Sequence, residues 1–281
     1  MSTLRIGFEL IYDCPQPTPM VLMLNVHPSC APSIVVADAL TTIPALPISF
    51  YYDGFGNRCS RLVAPAGEIR ISADGLIADT GTPDPIALWA QQALVQDLPT
   101  EVLVFLLGSR YCETDRLSDI AWNLFEHSPF GWARVQAICD FVHNHIVFGY
   151  EFANPTKSAW EAFNEGRGVC RDFAHLAITF CRCMNIPARY CTGYLSDIGT
   201  QPPFGPGDFA GWFEAYLGGQ WFTFDPRNNT PRIGRVLMAR GRDAADVPIS
   251  NTFGLHTVKN FKVWTDPVTA SSLAELPRLL S

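Results

Sequence analysis

Cys170 is the residue whose surroundings best fit nucleophilic chemistry. It follows the segment Gly166-Arg167-Gly168-Val169 and stands just before an apolar stretch with helical spacing, so we predict that it lies in the first turn of a helix. The unpaired amides and the positive dipole end of such a turn favour a thiolate, and Arg171 adds a positive charge. The same amides could stabilise the oxyanion formed when a thiol attacks a carbonyl. The alternative is a buried, unreactive thiol, the commoner role of a cysteine.

The elements that must position Cys170 are predicted to be helices followed by strands. The apolar helix that begins near Cys170 ends before Pro187. Three earlier helices are predicted at residues 115–125, 132–142 and 158–163. Three strands are predicted after the apolar helix, at residues 188–194, 212–217 and 221–224. Gly218-Gly219 provides the hairpin turn between the last two strands.

The first hundred residues are predicted to be short strands separated by turns. Asp53-Gly54-Phe55-Gly56-Asn57 combines residue types that tolerate positive φ, and a second Asp-Gly pair stands at residues 74–75. Strands at this spacing are typical of a sandwich or a barrel. The whole pattern predicts an α+β chain. We expect an all-β domain at residues 1–105, helices packed on an antiparallel sheet at 106–265, and a C-terminal tail at 266–281.

Composition narrows the class of protein. The chain has 281 residues, 48% of them hydrophobic, so it can bury a large core and is not expected to be disordered. The 20 basic and 27 acidic residues give a net charge of −7, which argues against nucleic acid and anionic membranes as partners. No apolar run is long enough for a membrane span, and the N-terminus lacks a signal-peptide pattern. We therefore expect a cytoplasmic protein whose nine cysteines are reduced thiols.

Several sequence blocks resemble the bacterial transglutaminase-like superfamily. These blocks, in chain order, are Gly168-Val169-Cys170-Arg171-Asp172-Phe173-Ala174-His175-Leu176, Cys181-Arg182-Cys183-Met184-Asn185-Ile186-Pro187-Ala188-Arg189-Tyr190, Trp212-Phe213-Glu214-Ala215-Tyr216-Leu217 and Trp221-Phe222-Thr223-Phe224-Asp225-Pro226. The resemblance covers roughly residues 115–265, and the first hundred residues resemble the β-rich domain that often precedes this core.

The resemblance implies a papain-like core with a Cys-His-Asp triad for acyl transfer, as in the family's cysteine proteases. By motif position, Cys170 would be the nucleophile and Asp225 would orient the histidine. Asp172 and His175 match the extended nucleophile motif, where we interpret them as helix and packing residues.

The sequence departs from the family pattern at the base, because Ala210 occupies the position of the catalytic histidine. No histidine occurs anywhere from residue 176 to 255, so no shift of the alignment supplies one. A thiol enzyme needs a base to form the thiolate and an acid to protonate a leaving amine, and alanine does neither. Weak or absent amide hydrolysis is therefore expected.

Substitutes for the missing base are His175, His256 and a water molecule held opposite Asp225. His175 lies five residues after Cys170, about 140° further round an ideal helix, and should not face the same pocket. His256 is far enough along the chain to return by tertiary folding.

Other chemically suggestive residues have simpler interpretations. His143 with His145, and Cys181 with Cys183, have zinc-ligand types, but residues two apart on a helix point about 200° apart and cannot share one ion. We predict neither a metal nor a cofactor. Trp160 and Trp212 could line a substrate tunnel around the thiol or belong to the core.

Two functions follow from these residues. The first is a thiol hydrolase or acyltransferase that acts on peptide or amide bonds through Cys170, in the manner of a cysteine protease. The alternative is a catalytically inactive transglutaminase-like fold that binds a peptide or protein partner. The substrate, the acyl acceptor and the oligomeric state stay open.

Overall fold

A computed structural model describes residues 2–202, 205 and 207–268 of the chain. It confirms the α+β class, with helices and several antiparallel sheets. Among the described residues, no helix is both long and apolar enough to cross a membrane.

The N-terminal part consists mainly of strands, as predicted. The second turn expected at Asp74-Gly75 is wrong, because both residues lie inside one continuous strand and pair with Gly7 and Ile6. Its seven strands are β1 (Ser2–Cys14), β2 (Thr18–Leu22), β3 (Ile34–Val36), β4 (Thr41–Ile43), β5 (Ser49–Tyr52), β6 (Arg58–Ala64) and β7 (Gly67–Asp79). β1 and β7 pair antiparallel along their whole length, from Ser2 opposite Asp79 to Cys14 opposite Gly67. Buried residues alternate along both strands, because successive side chains of a strand point to opposite faces.

The middle of the chain carries the helices. They are α1 (Thr114–Phe125), α2 (Trp132–His145), α3 (Ala159–Glu165) and α4 (Cys170–Cys183). Two short strands, β8 (Val147–Phe148) and β9 (Arg167–Gly168), pair in parallel beside them. Every residue of α4 from Asp172 onward is buried, because the helix packs against the other three helices and against a sheet. The most apolar predicted helix is therefore the central element of this core.

The sheet under α4 has four antiparallel strands. They are β10 (Ala188–Leu195), β11 (Ala210–Leu217), β12 (Gln220–Phe224) and β13 (Arg235–Gly241), in the spatial order β12-β11-β10-β13. Gly218 and Gly219 both have positive φ at the predicted hairpin turn between β11 and β12.

The end of the described chain returns to the N-terminal strands. β14 (Ser250–Thr252) pairs with β2, and β15 (Thr257–Pro267) pairs with β1. Two sheets result, β15-β1-β7-β3 with β4, and β14-β2-β6-β5, and they enclose a shared apolar cluster. Tyr194, Phe209, Val236 and Met238 from the later part of the chain are buried in that same cluster. The domain limits at 105 and 265 stay a prediction, and the predicted tail falls outside the described residues from 269 onward.

Candidate active site around Cys170

Cys170 is the first residue of α4, as its sequence surroundings predict. The turn before it is held by Asp172, whose Oδ2 accepts a hydrogen bond from the Val169 backbone N–H at 2.9 Å. Gly168 is required here, since a Cβ at this position would lie 2.5 Å from the same oxygen. Asp172 therefore shapes the start of the helix, as the sequence interpretation proposed.

Cys170 lines a cleft of about 510 Å³, which we call the Cys170 cleft. Its walls come from the start of β11, from the segment after β10, from the segment after β12 and from β15. Described residues that line it include Phe148, Tyr150, Asp197, Asp208, Ala210, Gly211, Arg227, Arg232, Trp264 and Asp266. Because β15 belongs to a sheet of the N-terminal strands, the cleft lies where the helical core meets those strands.

Ala210 lies in this cleft, at the position where the family pattern would place a histidine. It is the first residue of β11, pairs with Gly193 of β10, and its carbonyl accepts a hydrogen bond from Thr192 Oγ1 at 3.0 Å. The next residue, Gly211, leaves no room for a side chain, since a Cβ there would lie 2.7 Å from the hydroxyl of Tyr190 in β10. A methyl group thus faces the cleft where an imidazole would be needed.

All six histidines lie within the described residues, and none of them lines the Cys170 cleft. His175 is fully buried. Its Nε2 accepts a hydrogen bond from the Ala244 backbone N–H at 3.1 Å, and its ring stacks on Tyr111. Burial, with Arg171 and Arg182 nearby, holds the pKa of His175 well below its ordinary value, so the ring is neutral. His175 is a core residue here.

His256 is exposed and belongs to the N-terminal strands. Its Nδ1 hydrogen-bonds Thr252 Oγ1 at 2.8 Å, and its ring packs against Tyr12 with 5.8 Å between centroids. Tertiary folding therefore brings His256 back to β1, away from the walls of the Cys170 cleft.

The Cys170 thiol is protonated at neutral pH. Burial, assisted by the negative charges of Asp208 and Asp225, raises its pKa to about 11, against the smaller opposing effects of the Gly211 backbone amide and Arg227. The expectation that Arg171 would favour a thiolate is wrong for this structure. The Arg171 guanidinium instead donates to the backbone carbonyls of Asn154 and Pro155 and pairs with Asp172.

Asp225 follows β12 directly, and its carboxylate is already engaged. Oδ1 accepts from the Asn228 backbone N–H at 3.0 Å, and Oδ2 accepts from Asn228 Nδ2 at 2.7 Å and from Arg235 Nη2 at 3.0 Å. Arg235 also pairs with Asp84 at 3.0 Å and packs over the Trp212 ring. We call the set Asp84, Asp225 and Arg235 the buried ion-pair network, since each of the three side chains is at most 15% exposed.

Asp225 lines a different cavity, of about 400 Å³, between α2 and the segment around Asp84. The structure therefore brings Ala210 and Cys170 into one cleft. Asp225 does not line that cleft, and it affects the thiol through the electrostatic effect of its negative charge.

Sequence reasoning missed Asp208 and Arg235. Asp208 lies in the Cys170 cleft, and burial raises the pKa of its carboxyl above the ordinary value. The sequence could have indicated Asp208 as a site residue, because it is acidic and stands two positions before Ala210. Arg235 had no signal among its immediate neighbours in sequence, since its partners Asp225 and Asp84 are 10 and 151 positions away in the chain.

The two candidate tunnel tryptophans lie outside the cleft walls. Trp212 is 1% exposed beneath Arg235, and Trp160 packs against Arg116 and Phe163. The aromatic lining comes instead from Phe148, Tyr150, Phe209 and Trp264.

The suggested zinc ligands have other partners. His143 Nδ1 lies 3.1 Å from the carbonyl oxygens of Pro226 and Arg227, and His145 Nε2 lies 2.6 Å from the Phe163 carbonyl. Within the described ranges, no group of three or more His, Cys, Asp or Glu residues is placed to hold a metal ion.

Known proteins share both the sequence pattern and the fold. The sequence model of the transglutaminase-like superfamily matches residues 121–226. An uncharacterized Mycobacterium leprae protein is 36% identical over 96 residues, which cover 32% of this chain and 33% of that protein. An uncharacterized Mycobacterium tuberculosis protein is 29% identical over 242 residues, 76% of this chain and 74% of that protein.

One solved structure matches nearly the whole chain. It is the crystal structure of a candidate cysteine protease from Cytophaga hutchinsonii, with a TM-score of 0.82 and 29% identity, covering 96% of this chain and 91% of that one. Together with the nucleophile motif at the start of α4, the family match identifies residues 121–226 as a transglutaminase-like domain, and the structural likeness extends over nearly the whole chain.

Proposed function

We propose that the Cys170 cleft binds peptide or protein segments and that the protein hydrolyses amide bonds weakly or not at all. The observation that carries this proposal is the composition of the cleft, which holds the family's thiol but, among the described residues, no imidazole. A protonated thiol is a poor nucleophile, and without a proton donor the amine of a tetrahedral intermediate leaves poorly. The cleft volume is within the range of about 300–1,000 Å³ typical of ligand pockets.

A slower thiol chemistry is the second candidate, favoured by the position of Cys170 itself. The sulfur lies at the first residue of α4 beside the Gly211 backbone amide, where N–H groups can stabilise an oxyanion. Activated esters need no proton donor for their leaving groups, so Cys170 could transfer such acyl groups to water or to an amine. The likeness to a candidate cysteine protease supports this thiol chemistry.

Hydrolysis assays separate these two candidates from a working protease. Peptide p-nitroanilides and p-nitrophenyl esters would be compared for the wild type and Cys170→Ala. We expect the wild type to hydrolyse the amide substrate no faster than Cys170→Ala does. The ester substrate should be hydrolysed faster by the wild type than by Cys170→Ala. Rapid amide hydrolysis by the wild type that disappears in Cys170→Ala would overturn the proposal.

Binding itself can be tested by protection of the thiol. A tryptic digest of casein, used as a mixed peptide probe, should slow the alkylation of Cys170 by N-ethylmaleimide. Cys30 is the matched control, because it is the other partly exposed cysteine and does not line the cleft. Equal alkylation rates of Cys170 with and without the digest would contradict peptide binding in the cleft.

A further inference from the structure

A second, smaller cavity of about 220 Å³ lies outside the Cys170 cleft, and its residues take no part in the chemistry described above. Three elements enclose it: the loop before β6, a 3₁₀ helix at Thr100–Leu106, and the sheet of the helical core. The lining residues are Gly54, Phe55, Glu101, Val102, Val104, Phe105, Arg189, Trp221 and Arg240. We call this cavity the two-arginine pocket.

The sheet register places the two arginines side by side. Cys191 of β10 lies opposite Arg240 of β13, and Arg189 is two residues before Cys191 on the same strand. Residues two apart on a strand share a face, so Arg189 and Arg240 are diagonal neighbours across the pair. Both arginine side chains therefore line one small cavity.

The positive charge of the pocket is only partly balanced by direct ion pairs. Arg189 donates from Nε to Glu214 at 2.6 Å and lies over the Trp221 ring at 4.0 Å. No carboxylate of the described residues lies within 4.0 Å of the Arg240 guanidinium. Glu101 is the acidic residue of the pocket wall, and it is exposed at the rim. The Arg240 guanidinium therefore has no direct ion pair among the described residues, although Glu214 and Glu101 offset part of the charge of the pocket.

Neighbouring titratable groups respond to this charge. Burial, then Arg240 and Arg189, lower the pKa of His27 to about 4, and its Nε2 is buried without a partner among the described residues. Burial and Arg189 also lower the pKa of Arg240, against the smaller opposing effect of Glu214. The neutral imidazole offers no counter-charge to the two arginines.

The pocket is preorganised by Asn57, which is fully buried. Its Nδ2 donates to the Arg240 carbonyl and its Oδ1 accepts from the Arg240 N–H, both at 2.8 Å. Asp53 Oδ1 accepts from the backbone N–H groups of Phe55 and Asn57 at 2.9 Å each, which fixes the loop. The Phe55 wall is thereby attached to the strand that carries Arg240.

We propose that the two-arginine pocket binds a phosphate group, either free phosphate or the phosphate of a small monoester. Guanidinium groups bind phosphate oxygens through paired, charge-assisted hydrogen bonds, and such an anion would give Arg240 the direct ion pair that it lacks among the described residues. The volume is below the ~300 Å³ at which typical drug-sized pockets begin, which restricts the ligand to a small one. Phe55, Phe105 and Trp221 supply apolar walls beside the anion.

Calorimetric titration of the full chain with sodium phosphate, at constant ionic strength set by sodium chloride, tests this proposal. We expect one site in the wild type and at least roughly tenfold weaker binding in Arg240→Gln, since a charged hydrogen-bond donor is lost. Arg61→Gln is the matched control, because Arg61 is an exposed arginine of β6 that does not line the pocket. A parallel titration with phenyl phosphate distinguishes a monoester ligand from free phosphate. Tighter binding of phenyl phosphate than of inorganic phosphate indicates a monoester, and weaker binding indicates free phosphate.

Two results would overturn the proposal. One is the absence of saturable phosphate binding by the wild type at millimolar concentrations, and the other is an equal loss in Arg61→Gln and Arg240→Gln. Glu101→Gln provides a variant that should fold, because this side chain is exposed, and it should bind phosphate more tightly. Weaker binding by Glu101→Gln would also contradict the proposal. None of these outcomes depends on the function of the Cys170 cleft.

Discussion

Asp225 and Cys170, the two matching members of the expected triad, have opposite surroundings. Asp225 is buried among partners, with Asn228 and Arg235 on its carboxylate and Asp84 on the far side of Arg235. Cys170 lines an open cleft, where the charges acting on its thiol are Asp208, Asp225 and Arg227. The buried ion-pair network therefore gives Asp225 a structural role that persists without an imidazole. Among the described residues, Cys170 has no comparable network of ion pairs.

The largest expected effect comes from breaking the buried ion-pair network. Arg235→Met leaves two buried carboxylates without their shared cation, and removing one partner of such a pair costs about 3–5 kcal/mol. Urea unfolding measures this loss in the free energy of unfolding. The control is Arg70→Met, because Arg70 forms an exposed pair with Glu9 at 3.5 Å and should contribute less than about 1 kcal/mol. Similar losses in both variants would show that the network is not structural.

The next effect is restoration of the base. Ala210→His puts an imidazole in the cleft with Cys170, and general acid–base catalysis contributes about 10²–10⁴-fold. We expect the lower end of this range, because Asn228 and Arg235 already occupy the Asp225 carboxylate. Hydrolysis of a peptide p-nitroanilide measures the gain, with Ala210→His/Cys170→Ala as the control. An increase in amide hydrolysis that is also present in the double variant would show that the Cys170 thiol is not the nucleophile.

The pH dependence of alkylation tests the protonation state of the Cys170 thiol. The pKa of Cys170 is raised to about 11, so the reactive thiolate should increase about tenfold per pH unit from pH 7 to 10. The rate of iodoacetamide labelling, followed by peptide mass spectrometry, tests this slope. A plateau near pH 7 would show that the thiol is activated after all.

Asp208→Asn should shift the same profile to lower pH. Removing the negative charge of Asp208 stabilises the thiolate, so labelling at pH 8 should rise roughly three- to tenfold. Asp197→Asn is the control, since Asp197 lines the cleft but is not among the main charges that act on Cys170. Equal acceleration in both variants would point to a general surface-charge effect.

The smallest expected effect is that of His256. His256→Gln changes an exposed residue beside Tyr12, away from the cleft, so ester hydrolysis should stay within about twofold and stability within ~0.5 kcal/mol. A large loss of ester hydrolysis would show that this histidine reaches Cys170 in solution.

Local patterns were enough to predict much of the fold. The helix at Cys170, the Gly218-Gly219 hairpin and the alternating strands depend on spacing and on turn residues near in sequence. The absence of a histidine between residues 176 and 255 was likewise visible in the chain itself. The α+β class follows from these local signals, because each one acts over a few residues.

Long-range contacts decided what the local patterns left open. Whether Arg235 binds Asp84 and where His256 returns depend on residues far apart in the chain, and the partners of Arg171 lie 16 and 17 residues before it. The same holds for β15, which closes one wall of the Cys170 cleft after pairing with β1. The sequence alone determined the helices, the hairpin at Gly218-Gly219 and the missing base. The tertiary structure decided the protonation of the thiol and the partners of the carboxylate, because burial and through-space charge arise only when distant segments pack together.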